Sequence, residues 1–181
     1  MMKFLRENVY AAVLLTLLRL YVGWQWLDAG FHKLKDGFDA AGFLKGAIAN
    51  PVVDRGTNEL IYPTFTKFLE HAALPNVKII NIVIPLGETL VGLGLIVGGL
   101  TAAAAFFGLL MNFMFLFAGT VSTNPWLIML GGIVMIAGAG AGRFGLDYFL
   151  LPFLRKHLRF HRKGGGGTVP PVQPLPTHTA H

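Results

Sequence analysis

Ile79-Ile80-Asn81-Ile82-Val83-Ile84-Pro85-Leu86-Gly87-Glu88-Thr89-Leu90-Val91-Gly92-Leu93-Gly94-Leu95-Ile96-Val97 is an apolar run interrupted by one carboxylate. A bilayer core needs about 20 such residues per helix. Lipid offers the backbone no partner, so a span of this kind must be helical. Gly98-Gly99 then makes a tight turn, and Leu100 to Gly119 forms a second apolar run that leads straight back. Trp126 to Ala141 follows as a short span that borrows a turn at each end, and Val9 to Ala29 precedes them all. The expected fold is all-α and integral to the membrane: one domain over residues 1–150, built as a four-transmembrane-helix bundle with a long, partly helical outer loop between the first two spans.

Composition agrees. Of 181 residues, 54% are hydrophobic and 13% charged, where a soluble domain carries about 25% charged residues. Mean hydropathy is +0.58. The absence of cysteine excludes disulfides, thiolate metal sites, iron–sulfur clusters and cysteine nucleophiles. Lys3 and Arg6 resemble the start of a signal peptide, but the apolar run is long and Leu27-Asp28-Ala29 lacks a small-x-small exit, so the segment reads as a retained span.

The net charge of +6 is topological. Lys3, Arg6, Arg143, Arg155, Lys156, Arg159, Arg162 and Lys163 outnumber the loop residues Lys33, Lys35, Lys45, Arg55, Lys67 and Lys78. The positive-inside rule then places both termini in the cytoplasm and makes the chain a multi-pass protein of the cell membrane, with anionic lipid as its partner. Nothing interleaves aromatic and basic residues as a nucleic-acid surface would. The basic segment 151–163 leads into a Gly/Pro-rich tail, 164–181, that reads as disordered.

Residues 30–78 are too apolar for a linker. Phe38, Ala41, Leu44 and Ile48 have helical spacing, ended by Asn50-Pro51, and Glu59 to Ala73 forms a second amphipathic segment. Both predict short helices lying at the outer interface as a cap over the bundle.

Candidate chemistry starts with intramembrane charge, which costs about 2.5–3.5 kcal/mol per residue. Arg19 and Glu88 fall near the middle of adjacent spans and are expected to pair, either as a register-fixing salt bridge or as the lining of a polar cavity that handles a proton or a polar head group. Pro85, three residues before Glu88, is expected to kink its helix. Asn112 adds an amide at similar depth, as interhelical glue or as a ligand contact. Trp24, Asp28 and His32 share a helix face beside Trp26 and Lys33. They form either an aromatic belt or a flat wall for a planar ligand, with Asp28 and His32 as a proton relay. Ser122-Thr123-Asn124-Pro125 is expected to face this cluster, with Asn124 capping the last span ahead of Pro125. Arg143 and Asp147, at i, i+4, read as an interfacial ion pair. Gly94/Gly98 and Gly138/Gly142 are spaced for close helix approach, within the bundle or between copies in a homo-oligomer. The six histidines lie outside the expected spans, so no haem is expected, and no metal-binding motif occurs.

Leu18-Arg19-Leu20-Tyr21-Val22-Gly23-Trp24-Gln25-Trp26-Leu27-Asp28-Ala29-Gly30-Phe31-His32-Lys33-Leu34 resembles the first helix of the DoxX/DoxD family. Glu88 with Gly92 and Gly94 is similar to the family's second helix. Ala118-Gly119-Thr120-Val121-Ser122-Thr123-Asn124-Pro125 and Ala141-Gly142-Arg143-Phe144-Gly145-Leu146-Asp147 are similar to its later motifs. The resemblance spans about residues 10–150 and leans toward the DoxD-like branch. It implies a four-helix membrane subunit of a thiosulfate:quinone oxidoreductase, with membrane quinone as acceptor and an extracytoplasmic partner subunit. On that implication Arg19, Glu88, Asp28 and His32 serve the chemistry, while Trp24, Trp26, Lys33, Asn112 and Asn124 bind the quinone or the donor. A non-catalytic scaffold of a redox complex, or a carrier of a lipophilic small molecule, stands as the alternative.

Overall fold

The computed structural model describes residues 8–138, 141–142, 144–150 and 152–153. The basic segment, the tail, the starting Lys3 and Arg6, and Arg143 lie outside the described residues. Among those described, the chain is helical: α1 (Val9–Asp36), α2 (Ala41–Ala49), α3 (Pro63–Phe68), a π-helical turn (Leu69–Ala73), α4 (Val77–Val97), α5 (Thr101–Phe117) and α6 (Asn124–Ala137). The sole extended pairing described is an isolated bridge between Val53 and Leu60.

Helix α1 is seven residues longer than the first span read from the sequence. Asp28, His32 and Lys33 are polar but not helix-breaking, and the helix stops only at Gly37, whose φ of 79° suits glycine. Asn8 caps its start, its side chain accepting from Tyr10 N and Ala11 N. Helix α2 ends at Asn50 as the Asn50-Pro51 pair predicts. The second cap helix starts at Pro63 rather than Glu59, because the chain first doubles back through the Val53–Leu60 bridge. Helix α4 runs without a break through Pro85. Gly98, at φ 69°, closes α4, and the turn to α5 is as tight as Gly98-Gly99 suggests. Helix α6 gains two residues at its start and ends early, at Ala137.

The long helices pack in a closed cycle, α1 on α4, α4 on α5, α5 on α6 and α6 on α1. Leu15, Val22, Trp26, Val91, Leu95, Ala105, Leu130 and Val134 fill the space between them. Glycines set the closest approach, since a Cβ on Gly92 would fall on the Leu27 backbone. On Gly23 it would meet Leu95 at 2.9 Å, and on Gly30 it would meet the Thr89 backbone at 2.6 Å. A second core, of Ala40, Leu44, Ala47, Leu69 and Ala73, seats the cap on the amino-terminal end of α4 and the carboxy-terminal end of α5. Asp39 and Asn81 lock it there: Asn81 accepts from Ala40 N at 2.8 Å and donates to Asp39 at 3.1 Å. Helices α1 and α4 are long and apolar enough to cross a membrane, while α5 and α6 are shorter apolar helices.

Candidate functional site

Because α1 continues to Asp36, Lys33 reaches over α4. Its Nζ donates to both Glu88 carboxylate oxygens, at 2.8 and 2.7 Å. Glu88 is 2% exposed and Lys33 29%. The expected Arg19–Glu88 pair does not form. The glycine contacts fix an antiparallel register in which Glu88 lies beside the Gly30–Lys33 turn and Arg19 beside Gly98. Arg19 and Lys33 are fourteen residues apart on one helix, about 21 Å at 1.5 Å per residue. Equal depth of Arg19 and Glu88 requires a first helix that ends at Ala29; its run to Asp36 brings Lys33 to Glu88 instead.

Around the Lys33–Glu88 pair opens a cavity of about 380 Å³ at the cap end of the bundle. Of the residues singled out in the sequence, Asp28, Lys33, Glu88, Asn112, Asn124 and Trp26 line it. Gln25, Thr120, Ser122 and Thr123 complete the polar lining, and Phe38, Phe43, Ile84, Phe115 and Leu127 the apolar part. A chamber of this size with a few convergent polar groups has the make-up of a small-molecule site. Asn112 is 1% exposed, and its Oδ1 has no hydrogen-bond partner among the described residues. A buried polar atom left unpaired costs about 1–3 kcal/mol, a cost that a hydrogen-bonding ligand would remove. Asn124 does not cap α6: Thr123 holds that position without a side-chain bond, and Asn124 Nδ2 turns back to donate to Thr120 O at 2.9 Å.

Trp24 and His32 stand outside the chamber. Trp24 points away from the bundle, 59% exposed. The His32 ring lies on the surface, with Nδ1 2.8 Å from the Asp28 carbonyl oxygen and 3.4 Å from Asp28 Oδ1. Asp28 therefore has the chamber on one side and an exposed imidazole on the other. The expected wall of two tryptophans is reduced to Trp26, which Gly108 admits by lacking a side chain.

Arg19 belongs to a second buried cluster at the opposite end. Asp147 accepts from Leu100 N at 2.6 Å and from Thr101 N at 2.9 Å, capping α5 from a distant part of the chain. Asp147 N donates to Gly98 O at 2.7 Å, and Arg19 Nη2 to Phe144 O at 3.5 Å. The Arg19 guanidinium lies over Gly98 and Gly145, where any Cβ would strike it. The expected partner of Asp147, Arg143, is outside the described residues. Gly94 faces Ala104 and Gly142 faces Asp147, so both glycines serve contacts within the chain.

Sequence reasoning missed the Lys33–Glu88 bond. The signal was the lack of any helix breaker before Gly37, which carries Lys33 on the same helix as Trp26. Ser122 and Thr123 belong to the stretch expected to face the Trp24–Lys33 cluster, and they line the chamber beside Asp28 and Lys33; Gln25 and Thr120 carry no distinctive spacing of their own.

No curated protein and no solved structure matches the chain significantly. The family model of DoxX matches residues 14–122, a stretch that holds most of α1, the cap, α4 and α5 and every charged residue of the chamber. With two helices able to cross a bilayer, this is a membrane protein, and it belongs to the DoxX family.

Proposed function

We propose that the chain is the membrane subunit of a quinone-linked oxidoreductase and that the chamber at the cap end receives the quinone head group. The observation that carries this reading is the convergence on one cavity of a buried Lys33–Glu88 pair and the unpartnered amide oxygen of Asn112. Lys33 spends two hydrogen bonds on Glu88, and an ammonium has a third to offer a carbonyl oxygen. The Asn112 amide can present its oxygen to a quinol hydroxyl or, turned over, its N–H to a quinone carbonyl. Quinone reduction takes up two electrons and two protons. Glu88 and Asp28 stand where they could pass the protons, with His32 linking Asp28 to the surface. Lys33 would stabilise negative charge on the reduced oxygen. Arg19, outside the chamber, has no part in this scheme.

Thiosulfate is the donor that the family resemblance favours, and an extracytoplasmic partner subunit would deliver its electrons. All four long helices cross the membrane in this reading, with the cap outside and both termini in the cytoplasm. The outward faces of α5 and α6 support it, since Phe106, Phe107, Leu110, Ile133 and Ile136 are exposed, a surface suited to lipid.

The test is equilibrium binding of a ubiquinone or menaquinone analogue to the purified chain. Saturable binding weakened at least about tenfold, or about 1.4 kcal/mol, by Glu88→Gln or Asn112→Leu at matched folding supports the site. No saturable binding to a well-folded sample overturns it.

A further inference from the structure

Beside the polar chamber lies a narrow groove of about 60 Å³ between the cap and the ends of α4 and α5. Its lining is apolar throughout, including Leu44, Phe65, Phe68, Leu69, Met114 and Ala118. Phe38, Phe43, Ile84 and Phe115 line both spaces, so the chamber and the groove share a wall of side chains. Chemistry changes sharply across that wall: carboxylate, ammonium and amide on one side, aromatic and aliphatic carbon on the other. The groove offers water no polar partner, and water needs two to four. It is also too thin for a second ring. Phe43 and Phe68, at its edge, are 39% and 41% exposed, so it opens sideways out of the protein.

We infer that this groove holds the hydrocarbon chain of the same ligand whose head group fills the chamber, so that the protein selects chain-bearing amphiphiles over free head groups and admits them laterally between the cap and the bundle. The inference rests on the chamber being a head-group site, as proposed above. Burying a chain there contributes roughly in proportion to the apolar area covered. Met114, unbranched and adaptable, suits a wall that must fit chains of differing shape. Leu69 and Ala73 come from the π-helical turn, a feature often found at binding sites because it re-aims side chains within a helix.

The experiment uses the full chain in lipid nanodiscs of fixed composition, with Trp24→Phe and Trp126→Phe leaving Trp26 as the sole fluorophore in the chamber wall. Quenching is titrated with a tail-less dimethoxy-methyl-benzoquinone and with its decyl-substituted form. Comparing each compound between wild type and a groove variant cancels its partition into lipid. Ala118→Phe, which fills the groove, should weaken the decyl compound at least about tenfold and the tail-less one less than about twofold. Phe68→Gln, at the exposed edge, should act the same way more mildly, and it carries the test if Ala118→Phe does not fold. Should the tail-less compound be too weak to saturate in any protein, loss of decyl binding in the groove variants still assigns the chain to the groove. Equal weakening of both compounds, or unchanged binding of the decyl form, overturns the inference while leaving the head-group site standing. If neither compound binds wild type, the head-group reading fails, and this one fails with it.

Discussion

Lys33 and Glu88 are 55 positions apart in sequence, yet the Lys33 ammonium donates to both Glu88 oxygens within 2.8 Å. The two sides of this bond differ in environment. Glu88 is almost wholly enclosed, whereas Lys33 keeps nearly a third of its side chain accessible. Losing the lysine strands a buried carboxylate; losing the carboxylate leaves a lysine that can still reach water.

Lys33→Met is therefore expected to destabilise the fold by about 3 kcal/mol and Glu88→Gln by about 1 kcal/mol, with the double variant recovering much of the difference. Denaturant unfolding in a mild detergent measures all three. In the same assay a double-mutant cycle between Arg19 and Glu88 should show coupling below about 0.5 kcal/mol, the level of independent sites. Strong Arg19–Glu88 coupling would contradict the register described above.

At the other end, Asp147→Ala removes the acceptor for the N–H groups of Leu100 and Thr101 at the start of α5 and a carboxylate whose charge acts on Arg19. The expected loss is about 2–4 kcal/mol. Quinone-analogue affinity at matched folding should not change, because this cluster is remote from the chamber. A tenfold affinity loss would tie the two ends together functionally.

The cap helix α2 contains Gly42 and Gly46, and a Cβ at either would face open space. Neither glycine is demanded by packing, and each weakens a nine-residue helix. Gly42→Ala and Gly46→Ala should each stabilise it by about 0.5–1 kcal/mol, seen as slower amide exchange across residues 41–49. If exchange is unchanged or faster, the glycines serve a contact outside this chain.

Asp39 titrates below its ordinary value, chiefly because Ala41 N–H bonds its carboxylate and secondly because the Asn81 amide does. A depressed folded-state value means stabilisation that is present above the unfolded value, about 3.9, and lost as pH falls through the lower folded one. Wild type should thus have a higher Tm than Asp39→Ala at neutral pH, and the gap should narrow as pH falls below the unfolded value and close as it passes the lower folded one. A gap that persists in acid would mean that the bonds to Ala41 and Asn81 do not depend on charge.

The lack of cysteine makes topology directly measurable. With Cys introduced at Thr57 or Thr177, an impermeant maleimide should label the first in intact cells and the second only after permeabilisation. The reverse pattern would invert the orientation read from the lysine and arginine bias.

Much of this architecture could be read from side-chain chemistry before any coordinates. Gly98-Gly99 and Asn50-Pro51 mark real ends, since their conformational preferences act locally. Asp28, Glu88, Asn112 and Asn124 converge on one chamber because polar groups on apolar helices have few other places to go. Pairing was the harder question. Which cation meets Glu88 depends on how far α1 slides along α4, and that is set by Gly30 against Thr89 and Gly92 against Leu27, contacts that no local pattern reveals. Asn124 misled for a related reason: Asn-Pro is a good helix start, but Thr120 O offered its amide a better partner than the α6 backbone did.

The bond that Thr101 N donates to Asp147 joins residues 46 positions apart. Chain synthesis runs from the amino end, so α5 is complete before the residue that satisfies its first amides has been made. Until then Leu100 N and Thr101 N must find temporary partners in water or lipid head groups. The final state of the α4–α5 hairpin is thus reached only when the segment after α6 arrives, and truncation before Asp147 would leave an assembly that is inserted but unfinished.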